Sequence, residues 1–144
     1  MKRWDTVVVG VDGSEGSRRA LAWAADEARE HQARLRVVTT WTPPPVAAGA
    51  GYASLPWYGE ADLSQIAERQ QTDAVTEVLG EKPDLQIERV VDEGHAAPHL
   101  IKASAGADLL VVGCRGHGGF AGMLLGSVSQ HVAAHAECPV VIVR

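Results

Sequence analysis

The feature that most constrains the fold is an alternation. Short apolar runs rich in β-branched residues recur along the chain, with helix-patterned stretches between them. The run 6–9, Thr6-Val7-Val8-Val9, carries no charged residue on either face. A strand of that kind is buried on both sides, which happens where helices cover both faces of a parallel sheet. Four further runs read as strands, at 35–40, 85–91, 108–112 and 139–143. The one at 85–91 partly alternates polar with apolar, which places it at a sheet edge.

The intervening segments have helical spacing. Leu21, Ala24, Ala25 and Ala28 recur at steps of three and four, with Arg and Glu between them. The stretch 62–79 reads as a second helix, with Ile66, Val75, Val78 and Leu79 as its inner face. Residues 96–104 form a short helix whose Pro98 falls in the first turn, where proline is tolerated. A fourth helix covers 127–136. Between the second strand and second helix, Pro43-Pro44-Pro45 opens a Pro-, Gly- and Ala-rich stretch running to about Glu60. A connection that long in a compact domain is functional or disordered.

The order βαβ(flap)αβαβαβ predicts an α/β fold: an open, mostly parallel, doubly wound Rossmann-like sheet with helices on both faces. The 144 residues suit a single domain, 1–144, with no internal repeat. A net charge of −5 argues against broad nucleic-acid binding, which needs a basic surface. No apolar run nears the ~20 residues of a membrane span. The amino terminus enters a strand directly without a signal-peptide pattern, and two cysteines, Cys114 and Cys138, make no disulfide framework. A cytoplasmic location is the expectation.

Open α/β sheets bind ligands beyond the carboxyl ends of their strands, where strand order reverses. Two strand ends here carry unusual loops. One is Gly10-Val11-Asp12-Gly13-Ser14. The other starts at Gly113-Cys114-Arg115-Gly116-His117 and runs to Gly126-Ser127, where a helix begins. If the first and fourth strands are neighbours, both loops face one crevice. Glycines let the backbone approach a ligand closely, and a helix start offers free N–H groups and a favourable dipole for anions. No lysine precedes Gly126-Ser127, so this is not a Walker A loop. Nor is it the dinucleotide fingerprint, which follows the first strand. Phosphate charge would be met by N–H groups, hydroxyls, Arg115 or a divalent cation.

The pattern Gly113-x2-Gly116-x9-Gly126-Ser127 resembles the nucleotide-binding pattern of the universal stress protein family. The opening Val9-Gly10-Val11-Asp12-Gly13-Ser14, the segment Asp92-Glu93-Gly94-His95-Ala96 and the ending Cys138-Pro139-Val140-Val141-Ile142-Val143 are similar to that family too. The resemblance spans essentially the whole chain. It implies strand order 3-2-1-4-5, a homodimer and, for members with the glycine pattern, binding of ATP. By position it implies that Gly10 lies at the site and that Asp12, two residues on, approaches the ribose or a Mg or Mn ion held through the phosphates. The backbone at Thr39 and Thr40 would meet adenine, and Gly113 would lie under the ribose. Gly116, Gly126, Ser127 and Val128 would hold phosphates, with Ser129 nearby. Cys114 departs from the pattern, where a serine is usual.

Plainer roles stand beside these. Ser127-x-x-Gln130 fits a helix capping box, and Asp12 fits a turn into the first helix. The pairs His131/His135 and His95/His99 have metal-binding spacing but no evident third ligand, so packing or solvated roles are favoured. His117 lies inside the phosphate loop and is a candidate contact. Cys114 is a redox-sensitive or an inert thiol, and Cys138 a small buried residue. Trp41, Tyr52, Trp57 and Tyr58 either cover adenine or seal the core edge. The short apolar last strand invites pairing with another chain, giving a dimer through Val140–Val143.

Asp12 and His117 are the only candidate general bases near the loop, so efficient catalysis is not expected. The expected function is an ATP-binding stress-response switch with at most slow hydrolysis or autophosphorylation at Ser127 or Ser129. A dimeric protein-interaction module is the alternative. A nucleotidyl transferase would use a His-x-Gly-His element, which the chain lacks.

Overall fold

The computed structural model describes residues 2–43, 60–115 and 125–144. The strands are β1 (Thr6–Gly10), β2 (Arg34–Trp41), β3 (Ile87–Glu93), β4 (Leu109–Gly113) and β5 (Val140–Val143). The helices are α1 (Glu15–His31), α2 (Glu60–Leu79), α3 (Ala96–Ser104) and α4 (Ser127–His135). One sheet contains all five strands in the order β3-β2-β1-β4-β5, and every pairing is parallel. The sheet is therefore wholly parallel, not only mostly so.

Because strand residues alternate between faces, the two packed layers sort by parity. Val7, Val9, Leu35, Val37, Leu109 and Val111 face α1 and α2, joining Leu21, Ala24, Ala25, Ala28 and Ala74 in one cluster. Val8, Val38, Leu110 and Val112 face the opposite way and pack with Leu100 of α3 and Val132 of α4. Both faces being covered explains why β1 and β4 read as unbroken apolar runs. The edge position expected for β3 holds, and its residues are half-buried or exposed.

Two expectations need correction. Ile66 does not join the inner face of α2: it is 45% exposed. The buried stripe is Ala67, Gln71, Ala74 and Val75, with Val78 and Leu79 partly buried against it. Small side chains and a glutamine carry that stripe, so a search for large apolar residues misplaces the face. β3 starts and ends two residues later than its apolar run. The Gln86 carbonyl already accepts from Leu35 N at 2.9 Å, and the ladder continues through Thr40↔Asp92 and Trp41↔Glu93. The helix expected from Ser127 begins there.

The segment before β1 is tied to the start of the neighbouring strand β4. The Asp108 carboxylate accepts from the N–H groups of Asp5 (2.7 Å) and Thr6 (3.1 Å) and pairs with Lys2 at 3.1 Å. Burial of this side chain raises its pKa, but those two N–H groups and the Lys2 ammonium outweigh that effect and hold the carboxyl below its ordinary range. Among the described residues no helix is long and apolar enough to cross a membrane.

Candidate functional site

The site is built where strand order reverses. β1 pairs with β2 on one side and with β4 on the other. The chain leaves β1 for α1 and leaves β4 for α4, so the loops after these two strands open side by side. The condition set on the sequence, that the first and fourth strands be neighbours, is met.

Local chemistry shapes the first loop. Gly13 takes φ +83°, a left-handed backbone that glycine adopts without strain. Asp12 is exposed, and its Oδ1 accepts from Ser14 N at 2.9 Å and from the Ser14 hydroxyl. That Asx turn delivers Ser14 as the N-cap of α1, where its hydroxyl accepts from Ser17 N at 3.2 Å. Asp12 N donates to the Ser17 hydroxyl at 3.3 Å. Asp12 thus begins the turn and also stands at the crevice; the two roles are compatible.

The second loop leans on the first turn of α1. A β-carbon on Gly113 would lie 2.9 Å from the carbonyl carbon of Gly16, 3.0 Å from its oxygen and 3.3 Å from Ser17 N. A β-carbon on Gly16 would in turn lie 2.9 Å from the carbonyl oxygen of Arg115. Two glycines thus let two backbones touch. Gly113 is required here by helix–strand approach, a reason independent of any ligand. Gly10, at the end of β1, is packed under Leu100 of α3, 3.0 Å from where its β-carbon would be.

The loop closes on itself before α4. Gly126 N donates to Cys114 O at 2.7 Å, and Cys114 N donates to Val143 O at 2.8 Å. The N-cap of α4 is the buried Gly126, with no side-chain cap, so the plainer alternative for Ser127, a capping box, is not formed. Ser127 is the first helical residue, one position too late to cap, and it is exposed. Gln130 reaches back to Leu125 O instead, at 3.1 Å. The structure also turns Ser129 inward. It is 2% exposed, and its hydroxyl lies 2.8 Å from Cys114 O and 3.0 Å from Gly126 O. Ser129 stitches the two ends of the loop together. A helix cannot satisfy the N–H groups of its own first turn, so Ser127 and Val128 present such groups at the loop's end beside an exposed Ser127 hydroxyl.

At the end of β2, Thr39 is buried and Thr40 half-buried. Arg115 is exposed at the start of the glycine loop. Gly116 and His117 fall outside the described residues, as do Tyr52, Trp57 and Tyr58 and nearly all of the expected flap. Trp41 ends β2, and its carbonyl accepts from Gly94 N at 2.8 Å. His131 and His135 lie on the exposed side of α4 with ring centroids 4.9 Å apart. Among the described residues no group of three His, Cys, Asp or Glu side chains is gathered for a metal.

The set that converges is therefore Gly10, Asp12, Gly113, Arg115, Gly126, Ser127 and Val128, at the carboxyl ends of β1 and β4. A profile of the universal stress protein family matches residues 3–144.

The chain belongs to the universal stress protein family.

Among curated members, it is 36% identical over 141 residues to a Thermus aquaticus universal stress protein, covering 96% of this chain and 98% of that one. It is 37% identical over 138 residues to a universal stress protein of Mycobacterium tuberculosis, of which it spans only 44%. The universal stress protein UspA from Lactobacillus plantarum superposes with a TM-score of 0.76 at 21% identity, each chain covered in full. A universal stress protein solved in complex with cAMP gives a TM-score of 0.62 at 32% identity, with 99% and 98% of the two chains covered. One from Archaeoglobus fulgidus in complex with dAMP gives 0.64 at 23% identity, covering 99% of this chain and all of that one. Solved members of the family thus include adenine-nucleotide complexes. The strand order and the Rossmann-like architecture expected from the resemblance are those of the structure.

The residue that sequence reasoning missed is Gln71. It is wholly buried in α2 and bonded to the end of β2. A lone glutamine inside a helical pattern carries no motif, and only its place on the inner stripe, four residues after Ala67 and three before Ala74, could have marked it.

Proposed function

We propose that this universal stress protein binds an adenine nucleotide, ATP with Mg or Mn, and acts as a nucleotide-dependent switch in a stress response. The observation that carries the reading is the convergence at the switch point of two glycine-built loops with the starts of α1 and α4. Phosphates fit the N–H groups of Ser127 and Val128, which α4 cannot bond within itself, and the dipole at its start. Gly126 carries no side chain at the start of α4, and Arg115, Gly116 and His117 precede it in sequence. Gly113 lies under the ribose, next to Gly10. Asp12 is exposed at the end of β1, where its carboxylate would meet a ribose hydroxyl or a cation carried by the phosphates. The ends of Thr39 and Thr40 present backbone to adenine, because the Thr39 side chain is committed inward. The adenine-nucleotide complexes of relatives support this chemistry.

Asp12, with His117 close in sequence to Arg115, is the candidate to take a proton from water, and turnover is slow at most. Ser127 is the accessible acceptor for autophosphorylation, since Ser129 is enclosed. The one-domain unit dimerises through β5, whose outer edge Val140–Val143 has no partner strand among the described residues.

Calorimetry with ATP and Mg²⁺ on the wild type, on Gly126→Val and on Asp12→Ala tests the reading. A branched side chain at the buried N-cap of α4 should abolish binding. Asp12→Ala, at an exposed position, should keep the fold and weaken binding. Absence of binding to the stripped wild type refutes the nucleotide role and leaves a dimeric interaction module.

A further inference from the structure

A chain of hydrogen bonds runs from the edge of the sheet to the candidate site. Arg89 on β3 donates from Nε to Gln71 Oε1 at 2.9 Å. The Gln71 amide nitrogen lies 3.0 Å from Val37 O, from Val90 O and from Thr39 Oγ1. Thr39 Oγ1 lies 2.8 Å from Val11 O, at the loop that leads into Asp12. Gln71 is 0% and Thr39 2% exposed.

The polarity of the chain is determined. Val37 O and Val90 O only accept, so the NH₂ end of Gln71 faces them, and its oxygen faces the Arg89 donor. The amide has two protons for three acceptors, so the Thr39 oxygen shares one of them with a carbonyl, and because the amide nitrogen cannot accept, the single Thr39 proton is left for Val11 O. The neighbouring backbone bond, Val11 N to Val38 O at 2.9 Å, pins the other side of the same residue. Val11 is thus held at both its N–H and its carbonyl by β2, immediately before Asp12.

A buried amide is costly unless fully bonded, and an apolar side chain could fill the same stripe. Packing alone does not explain a glutamine here. Orientation of the Thr39 hydroxyl does. We infer that Gln71 is a positioning residue of the nucleotide site: it fixes the Thr39 hydroxyl on Val11 O and so holds Asp12 and the end of β2 in binding geometry. This inference rests on the nucleotide reading of the site.

Gln71→Glu separates orientation from packing. A carboxylate has the same shape and gains an ion pair with Arg89, but it sets an oxygen against Val37 O and Val90 O, so its fold is checked by circular dichroism and Gln71→Met carries the test if that variant unfolds. It can only accept, so the Thr39 proton turns toward it and leaves Val11 O. Gln71→Met removes the amide and keeps the volume. Both variants should bind ATP·Mg about two- to ten-fold more weakly, the worth of one buried hydrogen bond. For Gln71→Glu the loss should shrink at low pH, where the protonated acid donates to Thr39 again; the wild type and Gln71→Met should lack that dependence. A role in stability alone would move unfolding midpoints without this pH profile. Amide hydrogen exchange at Val11 and Asp12 is read in parallel without nucleotide. Faster exchange in both variants supports the inference even if the wild type fails to bind ATP, which refutes only the nucleotide reading. Unchanged exchange with unchanged affinity overturns it.

Discussion

Gly113→Ala makes the backbone contact between β4 and α1 measurable. The new methyl would sit 2.9 Å from Gly16 C, where carbon atoms ordinarily rest about 3.5–4.0 Å apart. Its three nearest neighbours are all main-chain atoms of α1, so no side chain can swing aside. The helix cannot shift freely either, because Ser14 caps it through Ser17 N and Gly16 already lies against Arg115 O. Overpacking of this kind costs about 1–3 kcal/mol. Gly113 has no positive φ, so strain of the dihedral adds nothing. For a chain of this length about 2 kcal/mol lowers Tm by roughly 6 °C. The assay is urea unfolding followed by circular dichroism, with the slope checked for constancy. Gly16→Ala should also destabilise, offset in part by the better helix propensity of alanine. The double variant should lose less than the two losses added, because one separation of helix and strand makes room for both methyls. A Gly113→Ala midpoint within about 0.5 kcal/mol of wild type, or strict additivity with Gly16→Ala, would refute the close approach.

Other tests concern the rest of the molecule. The Asp108 carboxyl is held below its ordinary range when folded, so its contribution to stability is present above the unfolded carboxyl pKa and lost as pH falls through the folded value. Urea midpoints of Asp108→Asn between pH 7 and 2 should therefore be lower at neutral pH and show a shallower acid limb than wild type; parallel profiles would contradict this. Burial, and then the nearby Asp108 charge, push the Cys138 thiol up, so its alkylation by iodoacetamide should be slow at neutral pH and accelerate only in more alkaline solution. Rapid modification at pH 7 would count against that environment. Ile66→Ser should change stability by less than about 0.5 kcal/mol, as exposed positions do, whereas an unfolding shift above 1 kcal/mol would return Ile66 to the core.

Much of the architecture was legible because it rests on periodicity. Val7 to Val9 and Leu109 to Val112 are buried on both faces, and such strands advertise a covered parallel sheet. The placing of a crevice between the loops after β1 and β4 followed from general rules of open sheets, once those strands proved adjacent. Hydrogen-bond detail was less visible. Ser127 has the composition of a capping box, but the turn at Gly126 shifts it one residue inside the helix. Ser129 and Gln71 are polar residues whose partners are carbonyls, Cys114 O and Gly126 O for one, Val37 O and Val90 O for the other. A carbonyl has no side-chain signature, so nothing in the local pattern points to such a pair. The glycines at 16 and 113 illustrate the same limit, since each is explained by a backbone far away in sequence.

The central position of β1 has a consequence for how the chain assembles. Its two neighbours in the sheet are contributed from opposite ends of the sequence: Thr6 is bound to Asp108, 102 positions away. During vectorial synthesis β1, β2 and β3 emerge together, yet one edge of the innermost strand stays bare until β4 has been made. Long loop closures of this sort slow folding, and a bare central strand is an invitation to mispairing. The tie from Asp108 to the chain start is then the latch that closes the gap once the late half arrives. A nascent chain stalled before β4 should accordingly depend on a chaperone in a way that the finished protein does not.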